Sequence, residues 1–260
     1  MITSPHNPRL KLIRSLAGRA KERRDAGLFL VEGVRLVEEL IDADFRVEEI
    51  YFSEEASNKA IRLLPRLQEA GFTCEEVSGS VFRTISETEA SQGILAVVRL
   101  PANDIELPLG EELVLIPDQI RDPGNLGTLL RSAVAAGVGR VIIPPETVDP
   151  YSPKVVRSAM GAHFMLKICQ MDWEGIALAL RPFRVYVAAA DGELSFWQAD
   201  FTQPTAIIIG GEAEGAGELA RGLAHSALNI PMEGKIESLN AGVAGSIILF
   251  EALRQRKNRP

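Results

Sequence analysis

The sequence is poor in the residues that build disulfide and metal sites. It has two cysteines in 260 residues, Cys74 and Cys169, which stand far apart and form no Cys-x-x-Cys spacing. This argues against a disulfide framework and against a zinc site, so we expect no bound metal and a reducing compartment, the cytoplasm. The three histidines, His6, His163 and His225, fall in no motif and are interpreted as structural or surface residues.

Long hydrophobic runs are also missing. No apolar stretch approaches the roughly 20 residues that cross a bilayer, and the segment from Met1 to Arg9 lacks the hydrophobic core of a signal peptide. We therefore expect no membrane partner. Hydrophobic residues make up 46% and charged residues 24% of the chain, as in globular proteins. The length suffices for one large domain or two ordinary ones.

The net charge of −7 is unfavourable for a nucleic-acid-binding protein, but the charge is unevenly distributed. Residues 1–24 contain seven basic residues against a single acid, Glu22, and four more basic residues follow Glu251. Basic ends on an acidic body can contact phosphates locally. Ordinary solvated helix faces and a frayed terminus explain the same pattern, so charge alone leaves both interpretations open.

Two regions of alternating helix and strand patterns are separated by a polar segment with two prolines. This pattern predicts a small α/β domain at residues 1–100, a linker at residues 101–112, and a second domain at residues 113–260. The first domain is predicted to have a helix from Asn7-Pro8 to about residue 24, strands at 28–31, 47–52, 73–77 and 93–98, and helices at 34–41 and up to residue 70. The second is predicted to have strands at 113–116, 141–143, 185–188 and 206–209, with helices near 126–136, 153–159, 173–180, 217–224 and 240–257. Continuous apolar strands between helices indicate a parallel sheet that is buried on both faces.

A glycine-rich loop, Gly210-Gly-Glu-Ala-Glu-Gly-Ala-Gly217, follows one of these buried strands. A dinucleotide fingerprint would need glycine where Glu212 stands, and a phosphate-binding P-loop would need Lys and Ser or Thr where Ala216 and Gly217 stand. Glu212 and Glu214 repel phosphate but suit the sulfonium and ammonium groups of S-adenosylmethionine. A glycine-rich turn with solvated glutamates remains an equal alternative for this loop taken alone.

Two further segments carry polar residues beside small ones. The first is Asp122-Pro-Gly-Asn-Leu-Gly-Thr-Leu-Leu-Arg131, in which Asn125 can cap a helix that contains Arg131. The second runs from Ile230 to Glu251 and places Ser238 and Asn240 before a helix that opens with glycine and alanine. Each glycine costs a helix about 1 kcal/mol relative to alanine, so we expect a chain segment or a ligand to approach this backbone closely.

Taken in their order along the chain, the three segments resemble the motifs of the SpoU (TrmH-like) RNA ribose 2′-O-methyltransferases of the SPOUT superfamily. The resemblance covers residues 113–260. The first domain, with Asn7-Pro8-Arg9 and Phe29-Leu-Val-Glu-Gly-Val-Arg35, more weakly resembles the ribosomal-protein-like substrate-binding domain that many members carry. The resemblance implies a knotted (trefoil) parallel-sheet domain, S-adenosylmethionine as cofactor, RNA as partner and a homodimer. The two-domain layout favours ribosomal RNA over transfer RNA.

The resemblance also assigns roles to individual residues. It implies a catalytic cluster of five residues: Asn125, Arg131, Glu212, Ser238 and Asn240. It implies a cofactor pocket lined by Gly210, Ile230, Met232 and Leu239, mostly through backbone groups. The resemblance also offers Arg131 as the base, helped by an RNA phosphate, but arginine stays protonated in proteins. We therefore interpret Arg131 as a clamp on phosphate that stabilises the developing alkoxide and is held by Asn125 and Glu212. A catalytically silent RNA-binding module and a dinucleotide-dependent α/β enzyme are the two alternatives, and the glycine pattern argues against the latter.

Overall fold

The computed structural model describes residues 1–88, 90–103, 110, 113–212, 214–234, 236 and 238–258, and the chain forms two compact units. The first unit contains residues 1–102 and 151–164, and the second contains 103–150 and 165–260. Most of the predicted linker, residues 101–112, lies outside the described residues. The segment 151–164 was predicted in the second domain, but Tyr151 and Val156 are buried in the core of the first unit.

The first unit is built on a four-stranded sheet with the order β1-β4-β2-β3. Strand β4 runs antiparallel to both neighbours, and β2 and β3 are parallel. Elements are numbered along the chain, and those of this unit are α1 (Pro8–Gly18), α2 (Ala20–Ala26), β1 (Leu28–Glu32), α3 (Val34–Glu39), β2 (Val47–Ser53), α4 (Asn58–Glu69), β3 (Cys74–Val77), α5 (Gly79–Phe82), β4 (Ile94–Arg99) and, from the later segment, α7 (Pro153–Ala159) with a 3-10 turn at Ala162–Phe164.

The predicted first helix is two helices. Asn7 caps α1 by accepting a hydrogen bond from the Arg9 amide, as expected, but α1 ends at Gly18 and Arg19 is extended. Helix α2 then starts and folds back. The buried Arg23 donates from Nη1 to the Leu16 carbonyl at 2.5 Å, which satisfies a carbonyl at the end of α1. A basic residue that the charge pattern had assigned to the surface therefore stabilises this break.

The second unit is a seven-stranded sheet with the order β7-β6-β5-β10-β8-β11-β9, and every pair of neighbours is parallel. Its elements are β5 (Leu113–Asp118), α6 (Pro123–Ala135), β6 (Arg140–Ile143), β7 (Lys167–Gln170), α8 (Trp173–Ala179), β8 (Arg184–Ala188), β9 (Leu194–Ser195), β10 (Thr205–Gly210), α9 (Glu218–Leu223), β11 (Ser226–Asn229) and α10 (Ala241–Lys257). The predicted α/β class and buried parallel sheet are confirmed. The trefoil knot stays a prediction, because strand order alone does not define it.

Helices α6 and α10 pack closely, and the small residues of α10 make this possible. A Cβ on Gly245 would lie 2.3 Å from Leu129 Cδ2 and 3.2 Å from Ile209 Cγ1, and one on Gly242 would lie 3.1 Å from Thr128 Cβ. Ser132 and Ser246 join the two helices by an Oγ–Oγ hydrogen bond of 2.7 Å. The expected close approach to the start of α10 is therefore confirmed, and it is made by α6.

Candidate active site

Three residues, one from each motif, form a hydrogen-bonded cluster at the carboxyl edge of the sheet. Glu212 lies in the loop after β10, Asn125 in the first turn of α6, and Asn240 immediately before α10. Asn125 donates from Nδ2 to Glu212 Oε1 at 2.6 Å, and Asn240 donates from Nδ2 to the same oxygen at 2.6 Å. Asn240 Nδ2 also lies 2.8 Å from Asn125 Oδ1. The cluster joins segments that are 87 and 115 residues apart.

Helix capping fixes the side chain of Asn240 and the backbone of Asn125. Asn240 is the N-cap of α10, and its Oδ1 accepts a hydrogen bond from the Val243 amide at 3.2 Å. The N-cap of α6 is Asp122, whose Oδ1 accepts from the Asn125 amide at 2.8 Å. The prediction that Asn125 caps this helix is wrong. Because the side chain of Asp122 is the cap, the side-chain amide of Asn125 is available to bind Glu212.

A cavity of about 300 Å³ opens beside this cluster, at the carboxyl ends of β8, β10 and β11. We call it the cofactor cavity. The four residues expected to bind a cofactor, Gly210, Ile230, Met232 and Leu239, all line it, together with Ser238 and Glu212. Residues that the motifs did not indicate also contribute, namely Ala188–Asp191 after β8 and Arg221 of α9. Crevices at this edge of open parallel sheets are the usual ligand sites of α/β folds.

The loop after β10 folds so tightly that side chains are excluded from its glycines. Its ends meet at Gly211 and Gly215, where the Gly215 amide donates to the Gly211 carbonyl at 3.0 Å. A Cβ on Gly210 would lie 2.1 Å from the Ala216 nitrogen, and one on Gly211 would lie 2.6 Å from the Gln119 carbonyl oxygen. This packing holds Glu212 between the sheet edge and the two asparagines.

A buried carboxylate at the end of β5 holds the far side of the same loop. Asp118 is 1% exposed, and its Oδ2 accepts a hydrogen bond from the Gly217 amide at 2.7 Å. Burial raises the pKa of Asp118, and the Gly217 hydrogen bond opposes that rise. The next residue, Gln119, has a φ of 54°, a left-handed conformation that places its backbone against Gly211. Sequence reasoning missed Asp118, although its position at a strand end beside a turn was a usable signal.

The structure does not bring Arg131 into the cluster. It lies on the exposed side of α6, lines neither the cofactor cavity nor the neighbouring one, and makes no hydrogen bond or ion pair with any described residue. The expectation that Asn125 and Glu212 of the same chain hold Arg131 is therefore not met, since both amides of the cluster are used on Glu212 and on each other. Ser238 is exposed and lines the cavity without a hydrogen bond to a described residue.

The charge of the cofactor cavity is mainly acidic. Among its described lining residues, Asp191, Glu212 and Glu214 are acidic and Arg221 is basic. Arg221 lies 3.7 Å from Asp191 and donates from Nε to the Ala216 carbonyl at 3.1 Å. Among the described residues, no group of three or more His, Cys, Asp or Glu side chains could hold a metal ion. Within the same residues, no helix is long and apolar enough to cross a membrane.

Fold and site together define a parallel-sheet α/β protein with an acidic, glycine-walled ligand cavity at the carboxyl edge of the sheet. The profile of the SpoU rRNA Methylase family matches residues 112–250, and that of the MRM3-like substrate binding domain matches residues 7–96. The chain belongs to the SpoU rRNA methylase family. The family predicted from the three motifs is thereby confirmed.

Individual relatives match over nearly the whole chain. A 23S rRNA (uridine(2479)-2′-O)-methyltransferase from Streptomyces viridochromogenes is 33% identical, over 98% of this chain and 92% of that protein. The 23S rRNA (guanosine(2553)-2′-O)-methyltransferase RlmP of Bacillus subtilis is 33% identical, over 96% and 97%. The crystal structure of the SpoU methyltransferase AviRb from Streptomyces viridochromogenes with AdoMet has a TM-score of 0.86 at 31% identity, covering 98% of this chain and 100% of that one.

Proposed function

We propose that this protein transfers the methyl group of S-adenosylmethionine to a ribose 2′-hydroxyl of ribosomal RNA. The observation that carries the proposal is the cluster of Asn125, Glu212 and Asn240 at the mouth of the cofactor cavity. The family relationship supports the reaction type, since the relatives named above are 23S rRNA 2′-O-methyltransferases. A dinucleotide enzyme is disfavoured because Glu212 and Glu214 line the cavity where a pyrophosphate would lie.

The cofactor cavity fits S-adenosylmethionine in shape and charge. Ile230, Met232 and Leu239 offer an apolar lining for an adenine ring. Gly210 also lines the cavity, and its missing side chain lets the loop backbone at Gly215 and Ala216 pack against it and shape the cavity wall. The carboxylates of Glu212, Glu214 and Asp191 suit a sulfonium and an ammonium group, and Arg221 suits a carboxylate. When bound, S-adenosylmethionine supplies an electrophilic methyl group on a cationic sulfur.

The chemistry left to the protein is positioning and charge stabilisation. The attacking hydroxyl must be aligned and must lose its proton as the new bond forms, so fixed polar groups carry most of the rate enhancement. Glu212 Oε1 is held by two amide donors, while Oε2 makes no hydrogen bond with any described residue. We assign Oε2 to accept a hydrogen bond from the ribose hydroxyl and Ser238, at the cavity wall, to orient the same group. Asn125 and Asn240 act by holding Glu212.

The first unit is assigned to RNA binding, in line with the substrate-binding domain that its sequence matches. The structure reduces the number of basic side chains of residues 1–24 that can serve this role. Arg23 is buried, Arg9 pairs with Glu49, and Lys21 pairs with Asp25. Lys11, Arg19 and Arg24 are exposed and make no hydrogen bond or ion pair with any described residue. These three are the proposed phosphate contacts.

A homodimer accounts for the position of Arg131. In one chain, Arg131 is exposed and has no described partner, and α10 exposes the apolar residues Val243 and Phe250, at 46% and 49%. Ile247 lies between them on the same helix face and is half-buried. We propose that a second copy covers this face and that the Arg131 of one copy clamps an RNA phosphate at the cluster of the other.

Mixing two inactive variants tests this sharing. If Arg131 serves the partner's site, Arg131→Ala mixed with Asn240→Asp after joint refolding regains up to about a quarter of wild-type activity, because one site in the mixed dimer has both native residues. If Arg131 serves its own chain, the mixture stays as inactive as its components. Sedimentation of wild type and Phe250→Glu separates the dimer from a monomer directly.

The proposed reaction itself is tested in two steps. S-adenosylmethionine should raise the melting temperature as a ligand of the native state, while NAD should not. Methyl groups labelled in the cofactor should then appear on ribose, and not on bases, when protein-free large-subunit ribosomal RNA is incubated with the enzyme and digested to nucleosides. Binding without any transfer would favour the catalytically silent module. A shift with NAD alone would favour the dinucleotide enzyme. The cytoplasmic location stays a prediction.

A further inference from the structure

A second cavity of about 260 Å³ also borders the loop after β10. Its floor is the turn between β5 and α6, residues Gln119–Asp122, together with Asn125. Its other wall consists of Gly211, Glu212, Glu214 and Gly215, and these four residues also line the cofactor cavity. The two cavities therefore adjoin at this loop, and Glu212, which accepts a hydrogen bond from Asn125, lines both of them.

The charges of the second cavity select against a phosphate in its interior. Asp122, Glu212 and Glu214 line it, and the only basic residue among its described lining residues is Arg121. A nucleoside without its phosphates has hydroxyl and N–H donors that these carboxylates can accept. The cavity volume is below the roughly 300 to 1,000 Å³ of pockets for drug-sized ligands, so it suits one nucleoside and not a stretch of duplex. Enzymes that do chemistry on a base take the nucleotide out of its stack, and a cavity that holds a single nucleoside requires the same of a ribose target.

Arg121 is the group that can hold the phosphate of such a nucleotide. It is exposed, it lines the second cavity immediately before the cap of α6, and its side chain makes no hydrogen bond or ion pair with any described residue. A guanidinium binds phosphate with two parallel hydrogen bonds and loses little hydration in doing so. The flanking carboxylate of Asp122 is engaged, since its Oδ1 accepts from the Asn125 amide.

We propose that the second cavity receives the nucleoside to be methylated, extruded from its stack, and that Arg121 binds the adjoining RNA phosphate. The inference rests on the proposed methyl transfer to ribose and adds the place and the phosphate-binding residue of the acceptor. The two cavities share Glu212, so the 2′-oxygen of the target ribose and the methyl group of the donor would meet beside this residue, where the O–C bond can form as the C–S bond breaks and the demethylated cofactor leaves. Arg121 is thus a substrate-binding residue that the three motifs do not include.

The test compares Arg121→Ala and Arg121→Lys with Arg181→Ala. Arg181 is an exposed arginine that follows α8 in the same unit, has no described side-chain partner, and lines neither cavity. Protein-free large-subunit ribosomal RNA is the substrate, and methyl transfer is measured at several salt concentrations. Arg121→Ala should raise the KM for RNA roughly tenfold to a hundredfold and lower the salt slope by about one. Arg121→Lys should keep the slope but raise KM, because an ammonium lacks the planar fork.

Two results would overturn the assignment. One is kinetics of Arg121→Ala that match those of Arg181→Ala in KM and salt slope. The other is a weaker affinity of Arg121→Ala for S-adenosylmethionine by calorimetry, which would place Arg121 in the cofactor site. Both differ from a failure of the proposed function, in which wild-type protein itself would transfer no methyl group to ribose.

Discussion

Asn240 caps helix α10 with one side-chain atom and holds Glu212 with the other. Its Oδ1 accepts from the Val243 amide at 3.2 Å, while its Nδ2 donates to Glu212 Oε1 at 2.6 Å. The start of helix α10 is thereby tied to the loop that lines both cavities. Folding of α10 and the geometry of Glu212 are coupled through one residue.

Substitutions of Asn240 should separate these two functions. Asn240→Asp keeps an oxygen for the cap but places a carboxylate against Glu212, so we expect near-normal stability and a loss of methyl transfer of about tenfold or more. Asn240→Ala loses both interactions and should also lower the free energy of unfolding by about 1 kcal/mol. Urea denaturation and single-turnover assays measure the two effects. Full activity of Asn240→Asp would show that methyl transfer does not need the hydrogen bond that the Asn240 side-chain amide donates to Glu212.

Gly210→Ala should abolish cofactor binding. The new Cβ would lie 2.1 Å from the Ala216 nitrogen and 2.2 Å from the Gly215 carbonyl carbon, both backbone atoms, so the loop must move away from the cavity. The thermal shift with S-adenosylmethionine reports the loss. Gly222→Ala in α9 is the matched control, because apart from its chain neighbours and the backbone of its own helix nothing lies within 4 Å of the new Cβ. An equal shift for both variants would show that the loop tolerates a side chain.

Gly245→Ala should destabilise the second unit although alanine is the better helix former. The overlap with Leu129 Cδ2 at 2.3 Å forces α6 and α10 apart. Overpacking of this kind costs about 1 to 3 kcal/mol, against a gain in helix propensity of up to about 1 kcal/mol. Denaturant unfolding should therefore show a net loss. A gain in stability would mean that the two helices separate without cost.

Asp118 should make stability fall as the pH rises above its ordinary pKa. Burial raises the pKa of Asp118 from its ordinary value of 3.8, so the folded state binds this proton more tightly than the unfolded state. The free energy of unfolding then decreases between 3.8 and the raised pKa of the folded state. Asp118→Asn cannot titrate but can still accept from the Gly217 amide, so its stability relative to wild type should increase across that interval.

The pH series needs a second variant that removes the acceptor. Asp118→Ala leaves the Gly217 amide without its partner and should lower stability by about 1 to 3 kcal/mol at every pH. A constant difference between Asp118→Asn and wild type, from acid to neutral pH, would show that Asp118 does not titrate in this interval.

The three exposed basic residues of segment 8–26 that have no described partner should account for part of the salt dependence of RNA binding. Replacing Lys11, Arg19 and Arg24 with alanine should reduce the slope of log K against log salt by about 2 to 3. Filter binding of ribosomal RNA at several salt concentrations measures the slope.

A charge-matched control comes from the same unit. Arg46, Arg66 and Arg83 pair with Glu48, Glu38 and Glu55 respectively. Their triple alanine variant has the same change in net charge but removes cations that carboxylates already neutralise. Equal slope changes in the two triple variants would mean that only the net charge of the protein matters.

The parts of the structure that follow local patterns could be predicted from the sequence. Strands β5 and β10 are continuous apolar runs, and the Asn7-Pro8 start of α1 obeys a local capping rule. Strand β11, with the sequence Ser-Ala-Leu-Asn, has no such run and was missed, because its pairing with β8 comes from the sheet. The two residues of β9 are too few for any pattern.

Errors at the candidate site arose where two residues satisfy the same local rule. Asp122 and Asn125 can each cap a helix, and only the contact with the distant Glu212 decides that Asp122 is the cap. The motifs indicated Gly210, which lines the cofactor cavity, and Asn240, which donates a hydrogen bond to the cavity residue Glu212. The motifs could not predict the surroundings of Arg131. The sequence of a helix does not determine which molecule contacts its exposed side, and Arg131 lies on the exposed side of α6. The burial of Tyr151 in the first unit likewise depends on contacts with residues far away in the sequence, so local patterns could not predict it.

The central claim is tested most directly by mapping ribose methylation across total RNA from cells with and without the gene. The account predicts one or few 2′-O-methyl marks in ribosomal RNA that disappear with the gene, return with the wild-type gene, and do not return with Asn240→Asp. An unchanged methylation map, or the loss of a base methylation in place of a ribose mark, would contradict it.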